Sequence, residues 1–345
     1  MVDRTNTDNE GAVDVQGFML PVSNLVSAET RSVICDDIRE ASEGIPSSFP
    51  RIDDNTKLED IPDIRNRQAE FVYASRFYAN LKSRYKVSVQ SESIAGVYTE
   101  VFTPTDGISE TNRQRVLINL HGGSFTGGSR SGSRLESIPV AAIGKIKVLG
   151  IDYSLAPEHQ FPAASQDVAA VYKALLKEYK PENIGIYGYS AGGLLTAESM
   201  AWFQKEKLPL PAAIGMLCGA ARFWMDGISG SIQAAITGMD ANLLGVREAQ
   251  YFKNIESTED PLAFPGVSPD IMAKFPPSLL ITSTHDCSLS SVVSTHSQLI
   301  KLGVEADLHV WEGVDHSFIC NSNLPECREA FDVVVNFFDK HLSGN

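Results

Sequence analysis

The sequence predicts an α/β fold, in which a mostly parallel sheet is covered by helices on both faces. From Lys86 onward, short apolar runs alternate with segments of helical spacing, as repeated β-α-β units do. Two of these runs, RVLINLHG and KVLGIDY, are almost wholly apolar, which is typical of parallel strands buried on both faces. Just before them, KVSVQSES and GVYTEVFTP resemble an antiparallel pair of strands.

The later elements follow the same alternation. Strands are predicted at NIGIYGYS, AAIGMLCG, PSLLITST and EADLHVWEG, and helices at AASQDVAAVYKALLKEYK, AGGLLTAESMAWFQKE, SSVVSTHSQLIKLG and ECREAFDVVVNFFDKHL. This gives eight strands within a core over residues 86–345. Residues 1–85 show only weak helical patterns and are predicted to form a helical appendage. Residues 221–272 interrupt the alternation and are predicted to be an insertion that folds over the sheet.

Composition limits the classes of partner. With 43% hydrophobic residues among 345, the chain can bury the core of one large α/β domain with an appendage. Its formal net charge of −14 argues against nucleic acid and anionic membranes as partners. The charge says little about a neutral substrate. A homodimer is compatible with the sequence.

Cysteines and the N-terminus indicate the compartment. The five cysteines are odd in number and lack C-x-x-C spacing, so we expect neither a disulfide framework nor a metal site. The first residues, MVDRTNTDNEGAVDVQG, have no basic and apolar leader pattern, and no run of about 18 apolar residues occurs. We therefore expect a soluble, cytoplasmic protein.

The run GIYGYSAGG places Ser190 in a G-x-S-x-G pattern between a predicted strand and a predicted helix. In that context the pattern forms a sharp turn that lifts the serine hydroxyl above the sheet. The turn requires small neighbours, which Gly188 and Gly192 supply. A glycine-rich turn with an incidental serine is the alternative, and the flanking elements favour a nucleophile.

A nucleophilic serine needs a base, and the base needs a carboxylate that orients it. Five of the seven histidines follow Ser190. Of these, only His316 is predicted to lie in a loop after a strand and away from the best candidate acid. Asp286 directly follows the strand SLLITST, whereas its rival Asp315 adjoins His316 and should point elsewhere. Asp286 is therefore the predicted acid, although a loop aspartate is often only a turn or capping residue.

The stretch VLINLHGGSFTGGSRSG runs from a strand into a glycine-rich loop, which is typical of an anion site. A phosphate loop requires a lysine, but none occurs between Lys86 and Lys145, and the dinucleotide spacing G-x-G-x-x-G is not met. We therefore predict no cofactor. The third interpretation is an oxyanion hole, with backbone N–H donors from Gly123, Ser124 and Ala191, and with His121 and Gly122 supporting the loop. A flexible surface loop is the remaining alternative.

Together these motifs resemble the hormone-sensitive-lipase-like esterases of bacterial family IV. The resemblance is carried by HGGSF, DYSLAPEHQFPAA, GYSAGG, the Asp286 loop and DHSF, in that order over about residues 86–345. It implies an α/β-hydrolase fold with a helical cap and hydrolysis of short- to medium-chain carboxylic esters without a cofactor. It also implies that Ser190, Asp286 and His316 are the catalytic residues and that residues 1–85 and 221–272 contribute to the cap.

The sequence departs from this family in several places. Ser124 replaces a loop glycine, Tyr189 precedes the candidate nucleophile, and Ser154 replaces an arginine. The acid loop, DCSLSS, lacks a second acidic residue. We expect these changes to affect substrate preference more than the reaction. The same acyl-enzyme chemistry would also serve a lactonase, an amidase or an acyltransferase, and a non-catalytic ligand-binding protein is a third hypothesis.

Overall fold

The computed structural model describes residues 19–43, 49–50, 52, 56–224, 226–237, 250–255 and 257–343. It contains an eight-stranded sheet with the strand order β1-β2-β4-β3-β5-β6-β7-β8. The strands are β1 (Val87–Ile94), β2 (Val97–Pro104), β3 (Val116–Leu120), β4 (Lys147–Ile151), β5 (Ile184–Tyr189), β6 (Ala213–Leu217), β7 (Ser278–His285) and β8 (Ala306–Asp315). Strand β2 is antiparallel to both β1 and β4, and the pairs from β4 to β8 are parallel. The predicted fold class is confirmed.

Helices cover both faces of the sheet. They are α1 (Ala28–Ser42), α2 (Ile61–Ala74), α3 (Arg76–Arg84), α4 (Gly132–Gly144), α5 (Ala163–Leu175), α6 (Ala191–Glu206), α7 (Ser229–Thr237), α8 (Pro269–Met272), α9 (Leu289–Lys301) and α10 (Pro325–His341). Helix α4 was not expected from the sequence. It contains Pro139 in its interior, a residue that normally interrupts helices, so its pattern carries no clear helical signal.

Two segments bear on the predicted domain boundaries. Helices α1 to α3 lie within residues 1–85, and β1 begins at Val87. Of the segment 221–272, residues 225, 238–249 and 256 lie outside the described residues, and α7 and α8 lie within it. The assignment of both segments to a cap stays a prediction.

The core has one layer on each face of the sheet. Alternate residues of β3 belong to different layers, because successive side chains of a strand point to opposite faces. Val116, Ile118 and Leu120 pack in the layer that contains α5 and α6, whereas Leu117 packs in the layer that contains α4 and α10. Asn119 shares the second face, where its amide is wholly buried.

The parallel strands bring distant loops together. Strands β3, β5, β7 and β8 run in the same direction, so the residues that follow them meet at one edge of the sheet. No helix in the described ranges is both long and apolar enough to span a bilayer.

Candidate active site

Ser190 occupies a sharp turn between β5 and α6. Its backbone has φ 55° and ψ −119°, a conformation that L-residues rarely adopt. Small neighbours are essential here, because a Cβ atom at Gly192 would lie 1.7 Å from the carbonyl oxygen of Leu120. The N–H of Ser190 donates to the carbonyl of Leu217 over 2.7 Å, which anchors the turn to β6.

Ser190, His316 and Asp286 form one chain of hydrogen bonds. The Ser190 hydroxyl lies 2.8 Å from Nε2 of His316, and Nδ1 of the same ring lies 2.7 Å from an oxygen of Asp286. Asp286 directly follows β7, and His316 directly follows β8 and opens a short 3₁₀ helix, His316–Cys320. The structure thus brings together the three residues that the sequence singled out.

Asp286 is almost completely buried, with 1% of its surface exposed. Besides His316, its carboxylate accepts hydrogen bonds from the Thr282 hydroxyl at 2.7 Å, the Ser288 hydroxyl at 2.8 Å and the Ser288 N–H at 2.9 Å. Burial opposes the charged form, but the imidazole and these donors outweigh burial and lower the pKa of Asp286 to about 2. The carboxylate is therefore ionised at neutral pH.

His316 is held at both its ring and its backbone. Its carbonyl accepts a hydrogen bond of 3.0 Å from the Tyr189 hydroxyl, and the Cys287 sulfur lies 3.7 Å from Nδ1. Burial disfavours the imidazolium, yet Cys287 and the Asp286 carboxylate raise the pKa of His316 well above its usual value. Asp315, the rival acid, instead caps the following turn by accepting from the Ser317 N–H and hydroxyl.

The glycine-rich loop contains an unusual run of backbone conformations. Gly123 has φ +126°, and Ser124 and Phe125 have φ 53° and 56°. A Cβ atom at Gly123 would lie 2.3 Å from the Gly127 carbonyl oxygen, so only glycine fits there. The carbonyl of Gly123 accepts from the N–H groups of Thr126 and Gly127. Among the described residues, the N–H groups of Gly123 and Ser124 donate no hydrogen bond to a backbone acceptor. They are thus available to a ligand.

Ala191 supplies a third donor of the same kind. It is the first residue of α6, and the first N–H groups of a helix have no acceptor within that helix. They also carry the positive end of the helix dipole. Strands β3 and β5 lie side by side in parallel, with Leu120 opposite Gly188. The loop that follows β3 therefore begins next to the turn and helix that follow β5.

His121 and Gly122 fix the start of the loop. Nδ1 of His121 donates to the Gly122 carbonyl over 2.7 Å, and the His121 carbonyl accepts from the Tyr153 hydroxyl over 2.6 Å. A trans peptide is planar, with C=O and N–H on opposite sides. Holding the Gly122 carbonyl against the His121 ring therefore aims the Gly123 N–H the other way.

Arg65 of α2 connects the N-terminal helices to this loop. Its guanidinium, largely buried, donates to the carbonyls of Thr126 and Ala156, each over 2.8 Å. It also forms two hydrogen bonds of 3.0 Å with the Glu158 carboxylate. The loop is therefore fixed by a residue about 60 positions earlier in the chain.

One group of side chains has the composition of a metal site. The Cys218 sulfur and ligand atoms of Asp286 and His316 lie within 4.8 Å of one another, and no other such group of three occurs in the parts of the chain that the structure describes. Asp286 and His316 are at the same time hydrogen-bonded to each other. This group therefore coincides with the Ser190 site, and the spacing of its members in the sequence resembles no metal motif.

Several residues that contact the loop, the acid or one another were missed by the sequence analysis: Arg65, Asn119, Glu136, Thr282 and Ser288. The Glu136 carboxyl group accepts hydrogen bonds from the Gly122 N–H and from the Asn119 side-chain amide. Thr282 and Ser288 lie within four residues of Asp286, so a search for donors near the acid could have found them. Tyr153 and Glu158 lie within the motif DYSLAPEHQFPAA that carries the family resemblance. Nothing in the sequence around Arg65 or Glu136 indicates their contacts.

Comparison with known proteins agrees with this architecture. A family model described as alpha/beta hydrolase fold matches residues 117–320, more than half of the chain. LipR of Mycobacterium tuberculosis, an acetyl-hydrolase by name, is 31% identical over 248 residues, which are 70% of this chain and 77% of LipR.

Two solved structures are similar over nearly the whole chain. The crystal structure of an esterase, E25, has a TM-score of 0.81 and 28% identity, and the match covers 96% of this chain and 99% of that one. An esterase from the bacterial hormone-sensitive lipase family has a TM-score of 0.75 and 26% identity, with 92% and 99% covered. The chain therefore belongs to the α/β-hydrolase family, as a hormone-sensitive-lipase-like carboxylic ester hydrolase of bacterial family IV.

Proposed function

We propose that this ester hydrolase is a serine carboxylesterase in which Ser190, His316 and Asp286 form the catalytic triad. The observation that carries the proposal is the continuous hydrogen-bond chain from the Ser190 hydroxyl through both nitrogens of His316 to Asp286. Asp286, ionised at neutral pH, accepts from Nδ1 and so keeps the proton on that nitrogen. Once the ring has lost its second proton, Nε2 is the basic nitrogen that faces the serine.

The reaction follows from these positions. Ser190 Oγ attacks the ester carbonyl carbon while its proton passes to Nε2 of His316, and the carbonyl oxygen becomes an oxyanion. When the C–O bond to the alcohol breaks, Nε2 returns this proton to the leaving alkoxide. Water, deprotonated by the same nitrogen, then attacks the acyl carbon, and as the bond to Ser190 Oγ breaks, Nε2 returns the proton to Oγ and the acid is released.

The N–H groups of Gly123, Ser124 and Ala191 are proposed to bind the oxyanion. Two of them lie on a loop and donate to no backbone acceptor among the described residues, and the third begins a helix directly after the nucleophile. The removal of one such donor typically slows an enzyme about 10²- to 10³-fold. The backbone conformation of residues 123–125 is proposed to exist for this purpose.

Short- to medium-chain esters are the proposed substrates. LipR of Mycobacterium tuberculosis is named as an acetyl-hydrolase, and acetyl is the smallest acyl chain in this range. The test is the rate of hydrolysis of p-nitrophenyl esters from acetate to decanoate. A maximum among acyl chains of up to about eight carbons is expected, and a maximum at decanoate would contradict the chain-length proposal.

The triad is tested by replacing Ser190 with alanine. In a serine protease, loss of the nucleophile lowers kcat by about 10⁶-fold, and a comparable loss is expected here. Ser199→Ala is the matched control, because Ser199 is a buried serine of α6, the helix that follows Ser190, and its hydroxyl donates to the Leu195 carbonyl. That variant should keep its activity.

A fluorophosphonate probe gives an independent readout. It should label Ser190 in the wild-type protein and in Ser199→Ala, and it should fail to label Ser190→Ala. Hydrolysis by Ser190→Ala at the wild-type rate, or labelling at another serine, would contradict the assignment.

A further inference from the structure

Glu136 is a buried carboxyl group beneath the glycine-rich loop. It belongs to α4, and 1% of its surface is exposed. One oxygen accepts a 3.0 Å hydrogen bond from the Gly122 N–H, and the other accepts a 2.8 Å bond from the Asn119 side-chain amide. Ile138 and Val140 of the same helix belong to the apolar core on this face of the sheet.

This carboxyl group has no cation of its own. Among the ion pairs of the described residues, none includes Glu136. The titratable groups that face it are His121 from the loop, Tyr187 from β5, whose hydroxyl donates to the Glu136 carbonyl, and Cys320 after β8. A buried, unpaired charge is destabilising, so packing alone would favour an apolar residue here.

Gly122 is the loop residue that Glu136 contacts, and as a glycine it has no side chain that restricts its backbone rotation. The two peptide groups that flank the Cα atom of Gly122 are held by different side chains. Glu136 binds the N–H of Gly122, and His121 Nδ1 binds the Gly122 carbonyl. With both groups held, the direction of the next N–H, that of Gly123, is determined.

We propose that Glu136 is a positioning residue of the esterase, which orients the oxyanion loop through the N–H of Gly122 and does so in its neutral form. The inference rests on the proposed function of that loop. Burial is the main reason why the pKa of Glu136 is raised to about 7, although Asn119, the Gly122 N–H and His121 partly offset burial. The neutral form is thus accessible under ordinary conditions.

The neutral form suits the chemistry better than the carboxylate. A negative charge beneath the loop would oppose the negative charge that develops on the substrate oxygen. Asn119 suits either form: its amide nitrogen donates to the carboxyl oxygen, and its buried Oδ1 has no hydrogen-bond partner. Rotation of this amide would present Oδ1 to the proton of the neutral acid.

The test compares Glu136→Gln with Glu136→Leu. Glutamine keeps an acceptor for the Gly122 N–H and is always neutral, so kcat should stay within about threefold of wild type. Leucine is similar in size but accepts no hydrogen bond, and a misaligned oxyanion loop should lower kcat about 10- to 100-fold while KM changes less than about threefold. Rates are expressed per active site titrated with the fluorophosphonate, so that misfolded protein does not count.

Glu198→Leu is the matched control for the loss of a buried carboxyl group. Glu198 is fully buried in α6, where it accepts from the Ser165 hydroxyl. Its substitution should lower the melting temperature and leave kcat per titrated site unchanged. Equal kcat losses in Glu198→Leu and Glu136→Leu, or none in Glu136→Leu, would overturn the proposal.

The pH profile provides a readout that a merely structural role would not move. Because His316 titrates in both proteins, the readout is the ratio of wild-type kcat to Glu136→Gln kcat, which should fall severalfold between pH 7 and pH 9 as Glu136 ionises. Profiles of the same shape would overturn the proposal. Failure of the triad assignment is distinguishable, since it appears in the labelling of Ser190 in the wild-type protein.

Discussion

Asp286 and the loop that begins at His121 are each fixed by several hydrogen bonds, but their partners lie at different distances along the chain. The Asp286 carboxylate is held by Thr282 and Ser288, within four residues, in addition to His316. The loop is held by Arg65 from α2, Glu136 from α4 and Tyr153 after β4. The acid is thus positioned locally, and the loop by three separate elements.

We refer to Asp286 with its partners and to the loop with its partners as the two halves of the site. Because their partners differ, a substitution in one half should have a different effect from a substitution in the other. A substitution beside Asp286 should change the chemistry and leave the loop intact, because few contacts connect the two. A substitution in a distant helix should disturb the loop without touching the triad. The following predictions test this separation, beginning with the largest expected effect.

Asp286→Asn should reduce kcat by about 10⁴-fold, as the equivalent change does in serine proteases. The asparagine amide can donate to Nδ1, which favours the imidazole tautomer that cannot accept the serine proton. Steady-state kinetics with p-nitrophenyl butyrate measures the loss. If the two halves are independent, the fluorescence of the variant at pH 7 should stay close to that of wild type, and its melting temperature should fall by no more than the loss of the Asp286 carboxylate accounts for.

Asp286 should also contribute to stability in a pH-dependent way. Its pKa in the folded protein, about 2, is lower than the ordinary value of 3.8, so its stabilising contribution is present above about pH 4 and is lost as the pH falls through 2. The contribution is on the order of 2 kcal/mol. Urea unfolding at pH 6 and pH 3 should show a smaller acid-dependent loss in Asp286→Asn; an equal loss would contradict the prediction.

Gly123→Ala should reduce kcat about 10²- to 10³-fold, because the loop cannot keep its conformation and its donors move. The added Cβ would lie 2.3 Å from the Gly127 oxygen at a φ of +126°. Gly107→Ala is the control, since Gly107 also has a positive φ, +90°, but nothing lies within 4 Å of its added Cβ. A similar rate loss in both variants would show that the loop geometry is not the cause.

Arg65→Ala should lower the free energy of unfolding by about 2–3 kcal/mol, because it leaves two buried carbonyls without their donor. The rate should fall less than about tenfold, since the triad is untouched. In the control Arg113→Ala, an exposed ion pair with Glu110 is lost, which should change stability by less than about 1 kcal/mol. An Arg65→Ala variant as stable as wild type would show that α2 does not support the loop.

Ser124→Gly should have the smallest effect, with activity within about threefold of wild type. The backbone N–H is retained, and glycine removes the roughly 1 kcal/mol penalty of a left-handed conformation. It also gives the unfolded chain more freedom, so the two contributions to stability nearly cancel. A loss of several hundredfold in kcat/KM would mean that the Ser124 side chain itself contacts the substrate or holds the loop.

The sequence predicted the local features of this protein better than its long-range ones. The turn at Ser190 was predicted because Gly188 and Gly192 lie beside it and because a strand and a helix flank it. His316 and Asp286 follow strands whose order can be derived from hydrophobic runs, although β8 extends further, to Asp315. Their catalytic roles stay predictions.

Contacts between residues far apart in the chain leave no such pattern in the sequence. Glu136 lies in a helix that the sequence did not predict, since Pro139 obscures its pattern. Arg65 resembles any other charged residue of an amphipathic helix until the fold brings α2 against the loop. Which peptide group a side chain reaches depends on the path of the whole chain, and propensity and spacing do not encode that path.

Tyr189 joins the two halves at one point. Its hydroxyl donates to the His316 carbonyl, and its ring fills the space where a Cβ of Gly122 would be, 2.5 Å from that position. The distance between two groups varies least when few side chains lie between them. Here one rigid aromatic ring lies between His316, the proposed general base, and Gly122, at the start of the proposed oxyanion loop, so the width of that ring limits how closely the two can approach.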